Sequence, residues 1–304
     1  MPTSSSVSRV FMAPNGPEVS RFVAGFWRLK HWGMNAQQLL RFIEQCVDMG
    51  VTTMDHAMVY GSEALFGEAL ALRPALRQQM EIVSKCGIRP CGFGALGALQ
   101  TNHYDASADA IVQSVEHSLT ALGTDHLDVL LIHRPDYLLQ VDEVAACFAA
   151  LKAAGKVKYF GVSNFNTHQF ASLQQACDGS LVTHQIELSP LHLAPLDNGL
   201  LDQCVQQQIK PMLWSCLAGG SLLMPADERG VRVLEALKRV AEALHVNVEV
   251  VVYAWVLTLP CNPLPLLGTS KIERIYSAIQ ADALRLSREQ WYSIWEAANG
   301  ASVP

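Results

Sequence analysis

The chain of 304 residues is half hydrophobic and 16% charged, with a formal net charge of −6. A chain that is mildly acidic overall lacks the strongly basic surface that a general grip on nucleic-acid backbones requires. Its N-terminus, MPTSSSVSRV, has no apolar signal core, and no apolar run reaches the ~18 residues of a membrane span, so a cytoplasmic protein with neither nucleic-acid nor membrane partners is expected.

Short apolar runs recur along the chain. In order they are RFVAGFW (21–27), VTTMD (51–55), EIVSKC (81–86), LDVLLIH (127–133), KVKYFGVS (156–163), LVTHQIEL (181–188), KPMLWSC (210–216) and NPLPLLG (262–268). Each has the length and bounds of a strand buried on both faces. Between them lie segments of helical period. AQQLLRFIEQCVDMG puts Leu39, Leu40, Ile43 and Val47 on one face and stops at Gly50. The segment NVEVVVYAWVLTLP is rich enough in β-branched and aromatic residues for a strand, but its length favours a helix capped by Asn247. Alternating strands and helices, with no linker or shift in composition, predict one domain over 1–304. That domain is expected to be a closed (β/α)8 TIM barrel with extra helices near the C-terminus.

GFGALG at 92–97 has the spacing of a dinucleotide-binding glycine loop. Pro90 and Cys91 separate it from the preceding strand, and the ALQTNHYD that follows starts no helix to meet a pyrophosphate. It reads as a loop. The eight cysteines are scattered without zinc or redox spacing, so no metal site is expected and the thiols read as reduced and structural. Cys86 and Cys216 adjoin candidate site residues and would be redox-sensitive if exposed.

Barrel enzymes collect their chemistry at the C-terminal ends of strands. There, polar groups interrupt three apolar runs: Asp55 with Tyr60 after the second, Lys85 in the third and His133 at the end of the fourth. Taken singly, each has a plainer reading. Asp55 would be a turn residue, Tyr60 a core aromatic, Lys85 a snorkelling surface lysine and His133 a satisfied core histidine. Together they suit carbonyl reduction: Lys85 would ease proton transfer from the Tyr60 hydroxyl, Asp55 would hold Lys85 charged, and a neutral His133 would orient the carbonyl oxygen.

Asp55, Tyr60, Lys85 and His133, the last in LLIHRP, arrive in the order of the catalytic tetrad of the aldo-keto reductases, and the chain resembles that family from GFWRL near residue 25 to its last helix. It is most similar to the bacterial members with a short C-terminal tail. The resemblance implies an NADPH or NADP+ cofactor laid across the barrel mouth. Ser163, Asn164 and Gln185 would hold the nicotinamide carboxamide, and Trp214 would stack on its ring. Ser215, Leu217 and Gly219 would lie along the pyrophosphate, and Ser270, Lys271 and Arg274 would surround the 2′-phosphate. Trp27, Met58, Val59, Leu191 and His192 would shape the pocket for a small-molecule carbonyl substrate, in a protein expected to be a monomer.

The chain departs from the family pattern at three places. His56 stands where many members have a small residue, the Tyr60–Lys85 interval is short, and Ser277 and Ala278 replace the Glu and Asn that grip adenine. His56 itself reads either as a pocket residue or as a structural hydrogen-bonding group. Two other functions compete with a reductase: a non-catalytic NADP(H)-binding regulatory subunit, and a lyase forming a Schiff base on Lys85, which would need a neutral amine.

Overall fold

The structure is a computed structural model that describes residues 7–91 and 101–304. The glycine-rich stretch at 92–97 lies outside the described residues. Every apolar run named above contains a barrel strand: β1 (Val23–Gly25), β2 (Thr53–Asp55), β3 (Glu81–Cys86), β4 (Leu127–Ile132), β5 (Val157–Ser163), β6 (Leu181–Glu187), β7 (Met212–Trp214) and β8 (Leu264–Leu267). The eight are parallel, follow one another round the barrel in chain order, and close where Leu266 of β8 pairs with Val23 of β1. Their near-complete burial explains why the runs carry no alternation of polar and apolar residues. Strands are shorter than runs because the chain leaves the ladder at the mouth. After β1 the Phe26 N–H still donates to the Asp55 carbonyl (2.9 Å), and a tight turn over Leu29–His31 follows.

Helices fill the intervals: α1 (Ala36–Asp48), α2 (Glu63–Ala71), α3 (Ala108–Leu122), α4 (Val141–Ala153), α5 (Thr167–Ala176), α6 (Ala194–Asp197), α7 (Leu200–Gln206), α8 (Glu228–Leu244), α9 (Val248–Leu257), α10 (Ile272–Ile279) and α11 (Arg288–Asn299). In α1 a reciprocal cap between Asn35 and Gln38 satisfies two backbone donors, and the chain leaves the helix through Gly50 at φ 83°. The helix buries Leu39, Phe42, Ile43 and Cys46, so the stripe is rotated from the expected one, with Leu40 and Val47 at its margin.

The β-branched segment is a helix, α9, and it is buried on every side from Val250 to Leu257. A helix that packs all round has no polar face to show in its sequence. Asn247 sits at the cap position, but its amide donates to Ser277 Oγ at 3.3 Å, so the expected side-chain cap is not made. Helices α10 and α11 are the extra C-terminal helices. Trp291 of α11 stacks on Trp255 of α9 with ring centroids 4.9 Å apart, and each indole N–H donates to the other residue's carbonyl, at 3.0 and 3.2 Å. That pair contributes roughly 0.5–1.5 kcal/mol beyond the apolar area it buries.

Two hairpins escape the sequence reading. Arg9–Phe11 pairs with Glu18–Ser20 across the barrel floor, and Ile88–Arg89 pairs with His103–Tyr104 beyond β3. Ladders of three and two residues are too short for periodicity to register. No single helix among the described residues is long and apolar enough to cross a membrane.

Candidate active site

The C-terminal ends of the strands open into a cavity of about 570 Å³. Asp55, the last residue of β2, points into it. The chain then makes a single tight turn, Met58–Tyr60, closed by Gly61 at φ 60°, whose N–H donates to the Met58 carbonyl. Only a residue tolerant of the left-handed region ends a turn this sharply, and the turn carries Tyr60 back over its own strand.

Lys85, near the end of β3, is 1% exposed. Its ammonium donates to Asp55 Oδ2 (2.7 Å), the His56 carbonyl (2.6 Å) and the Tyr60 hydroxyl (3.4 Å). Three donors meet three acceptors, which is what a buried ammonium requires. Burial alone works against this charge, but Asp55 and Tyr60 outweigh it and hold the Lys85 pKa above its ordinary value. The other carboxylate oxygen of Asp55 accepts from Gln185 Nε2 at 2.8 Å. His133 follows β4, and its ring lies edge to face with that of Tyr60, centroids 5.5 Å apart. Burial, then the nearby Lys85 and Arg134, push the imidazole down to about 2, so it is neutral, and its Nδ1 has no partner among the described residues.

Asp55, Tyr60, Lys85 and His133 are therefore brought together. Lys85 lowers the Tyr60 pKa but does not bring the phenol below its ordinary range. Burial raises Tyr60 more than the ammonium lowers it, so the hydroxyl keeps its proton at neutral pH. His56 neither lines the cavity nor forms a side-chain hydrogen bond. Its ring stacks on Phe26 (4.7 Å) and meets Phe66 edge to face (4.3 Å), fully buried, with both nitrogens unpartnered among the described residues and its pKa pushed down to about 3 by burial and Lys85.

The expected carboxamide holders form a chain along the β5–β6 rim. Asn164 Nδ2 donates to the His133 carbonyl (3.1 Å) and to Ser163 Oγ (2.8 Å), and Ser163 Oγ donates to the Gln185 carbonyl (3.0 Å). These bonds engage the amide N–H groups of Asn164 and Gln185, and no hydrogen bond among the described residues engages the amide oxygen of either. Trp214, Ser215, Leu217 and Gly219 also line the cavity. Here the backbone is strained at Ser215 and Ala218, which hold φ of 60° and 49°, while Asn164 (61°) and Gly219 (67°) hold the same left-handed region more easily. Beyond Gly219, a Cβ added at Gly220 or at Gly268 would meet no atom within 4 Å, leaving open space against the backbone.

At the far end Arg274 lines the cavity, whereas Ser270 and Lys271 fall outside it and Gly268 and Thr269 take that edge. Of the expected substrate residues, Trp27 and Val59 line the cavity. Met58 does not, because the turn points it into the core, and Leu191 and His192 stay on their own loop, tied back through Ser189. Cys86 and Cys216 are buried with thiols pushed up to about 12, which removes the thiolate that redox sensitivity would need. Sequence reasoning missed Arg28, Lys30, Arg134, Glu249 and Tyr253, all of which line the cavity. Arg134 adjoins His133 and was within reach of the motif; the others depend on where loops and helix ends cross the mouth.

The Aldo/keto reductase family model matches residues 21–299. The chain is 51% identical to the oxidoreductase YdhF of Escherichia coli, over 98% of this chain and 100% of that one. It is 40% identical to a 6-dehydroglucose reductase of Agrobacterium fabrum, over 94% and 96% of the two chains. Among solved structures, the glycerol dehydrogenase AKR11B4 of Gluconobacter oxydans superposes with a TM-score of 0.83 at 22% identity, over 99% of this chain and 98% of that one. A thermostable aldo-keto reductase superposes at 0.79 and 21%, over 95% and 99%. The family model and the near-full-length sequence likeness agree, and the chain belongs to the aldo/keto reductase family.

Proposed function

We propose that the protein is an NADPH-dependent reductase that converts an aldehyde or ketone to an alcohol at the mouth of the barrel. The observation that carries this is the buried, charged Lys85 holding a protonated Tyr60 beside a neutral His133.

The rim fits a nicotinamide cofactor. The amide oxygens of Asn164 and Gln185 are free to accept from a carboxamide, Trp214 offers an aromatic face, and the strained turn at Ser215–Gly220 exposes backbone beside open space where phosphate oxygens can approach. Arg28, whose guanidinium donates to the Gly219 carbonyl at 3.4 Å, bridges this turn from the β1 loop. Arg274 would meet the 2′-phosphate, as a cation favouring NADPH over NADH. When bound, the cofactor supplies hydride to the carbonyl carbon.

The chain's own residues do the rest. His133, held neutral, orients the carbonyl oxygen towards the Tyr60 hydroxyl. As the carbon accepts hydride and charge moves to oxygen, the Tyr60 O–H bond breaks and its proton passes to that oxygen. The tyrosinate left behind accepts from the Lys85 ammonium, already 3.4 Å away and unable to drift because Asp55 and the His56 carbonyl fix it. Gln185 fixes Asp55 in turn.

A Schiff base on Lys85 is disfavoured by the same geometry, since all three ammonium donors are occupied and the pKa is raised rather than lowered. The regulatory-subunit reading has no observation of its own. Fluorescence titration with NADPH and with NADH, followed by a panel of aldehydes and ketones, tests the proposal. Preferential NADPH binding with carbonyl-dependent oxidation supports it. Failure to bind either cofactor contradicts it, and tight binding without turnover favours the regulatory reading.

A further inference from the structure

The cations that line the cavity fall into two groups. Arg28 and Arg274 stand with the strained turn and the far edge, where the cofactor phosphates are proposed to lie. Lys30 and Arg134 stand at the other end. The Lys30 ammonium lies against Gly61, the residue after Tyr60, so closely that a Cβ at Gly61 would collide with it. Arg134 follows His133 and is near enough to depress the pKa values of both Tyr60 and His133.

Neither Lys30 nor Arg134 takes part in an ion pair among the described residues. The segments outside those residues, 1–6 and 92–100, contain no Asp or Glu to supply one. The acids that line the cavity are Asp55, committed to Lys85, and Glu249 of α9, whose charge, like that of Arg274, acts on the Tyr253 hydroxyl. Two positive charges thus flank the groups that hold the carbonyl oxygen, and no protein carboxylate answers them. Burying the mouth under a neutral substrate would desolvate both at a cost, whereas an anion would turn them into charge-assisted hydrogen-bond donors.

We propose that Lys30 and Arg134 form an anion subsite, and that the substrate is a carbonyl compound bearing a carboxylate or phosphate a few bonds from the reacting carbon. This rests on the reductase reading above and narrows its substrate class. Only Gly61 and Ser62 separate Tyr60 from α2, and Lys30 packs against the first of them.

The test compares matched carbonyl pairs on the full chain with NADPH: 4-oxobutanoate against its methyl ester, and glyceraldehyde 3-phosphate against glyceraldehyde. The expected result is kcat/KM favouring the anionic member of a pair by about tenfold or more, carried by KM and shrinking with added salt. In Lys30→Met/Arg134→Met the ratio of anionic to neutral kcat/KM collapses towards one and in Lys30→Glu it reverses, with NADPH affinity as it was; the ratio within each pair cancels any change that losing Arg134 makes to Tyr60 and His133. Whether the carboxylate or the phosphate pair shows the larger ratio identifies the anion. Neutral members turned over as well as anionic ones would overturn the subsite while leaving the reductase reading intact. Loss of NADPH affinity in the double variant would overturn it too, by assigning these cations to the cofactor. If no carbonyl of either kind is turned over, the reductase reading fails separately, and titration with inorganic phosphate still decides: binding that the double variant abolishes supports the subsite, and no binding refutes it.

Discussion

Glu81 opens β3 and Lys85 lies four residues further along the same strand, yet the two ends of the barrel use charge differently. At the floor, Glu81 accepts from Thr52 and Thr53 hydroxyls (2.8 and 3.0 Å) and from Arg9 (2.7 Å), with Ser20 tying the two threonine N–H groups to the hairpin. Asp128, at the start of β4, is likewise held by Arg77, Lys158 and the Ile82 N–H, and these outweigh burial to keep its pKa low. These groups face one another and leave nothing for a ligand. At the mouth, Lys85 and Asp55 are satisfied, but among the described residues His133 Nδ1 and the amide oxygens of Asn164 and Gln185 have no hydrogen-bond partner and the cations Lys30 and Arg134 no ion pair. Three non-glycine residues there, Asn164, Ser215 and Ala218, also hold a left-handed backbone. Closed networks stabilise the floor, and open ones leave the mouth ready for partners from outside.

The sharpest way to break this contrast is at Tyr60. Tyr60→Phe removes the proton donor and the longest of the three Lys85 contacts, so kcat for carbonyl reduction is expected to fall ~10²–10⁴-fold while NADPH titration is unchanged. A stability variant at the mouth comes next. Lys85→Met strands the Asp55 carboxylate in the interior, which should cost about 3–5 kcal/mol in urea unfolding, most of it recovered when Asp55→Leu is added.

Acid then tests the buried imidazoles. His56, His133 and His184 have folded pKa values of about 3, 2 and 3, so below the unfolded value of ~6.5 the unfolded chain takes up protons that the folded one refuses. Their stabilising contribution is full above that value and is lost as pH falls. Going from pH 7.5 to 5.5 should cost ~1.4 kcal/mol for each histidine, ~4 kcal/mol in all, and His56→Phe should remove one share of that slope. The smallest effect belongs to the floor: Glu81→Ala leaves two threonine hydroxyls and Arg9 without their acceptor, costing ~1–3 kcal/mol by urea unfolding with kcat of the folded protein unchanged.

The sequence carried the barrel because apolar runs and helical periods alternate with few exceptions, and it carried the four central residues because polar groups break those runs at strand ends. What it did not carry depends on three-dimensional closure. His56 reads as polar, but its cage comes from Phe26 after β1 and Phe66 in α2. Gln185 reads as a rim residue, but it also steadies Asp55 across 130 positions of chain. Lys30 carries no signal in the sequence and becomes visible only where it packs against Gly61 at the cavity, whereas Lys271, expected beside the cofactor, falls outside the cavity as the residue before α10.

The most direct measurement is isotopic: incubate the protein with NADPH carrying deuterium at both positions of nicotinamide C4 and an aldehyde, and locate the label in the alcohol. The account predicts one deuterium on the former carbonyl carbon, with Tyr60→Phe forming the same labelled product far more slowly. NADPH bound at the mouth with no label transferred to any aldehyde or ketone would contradict it.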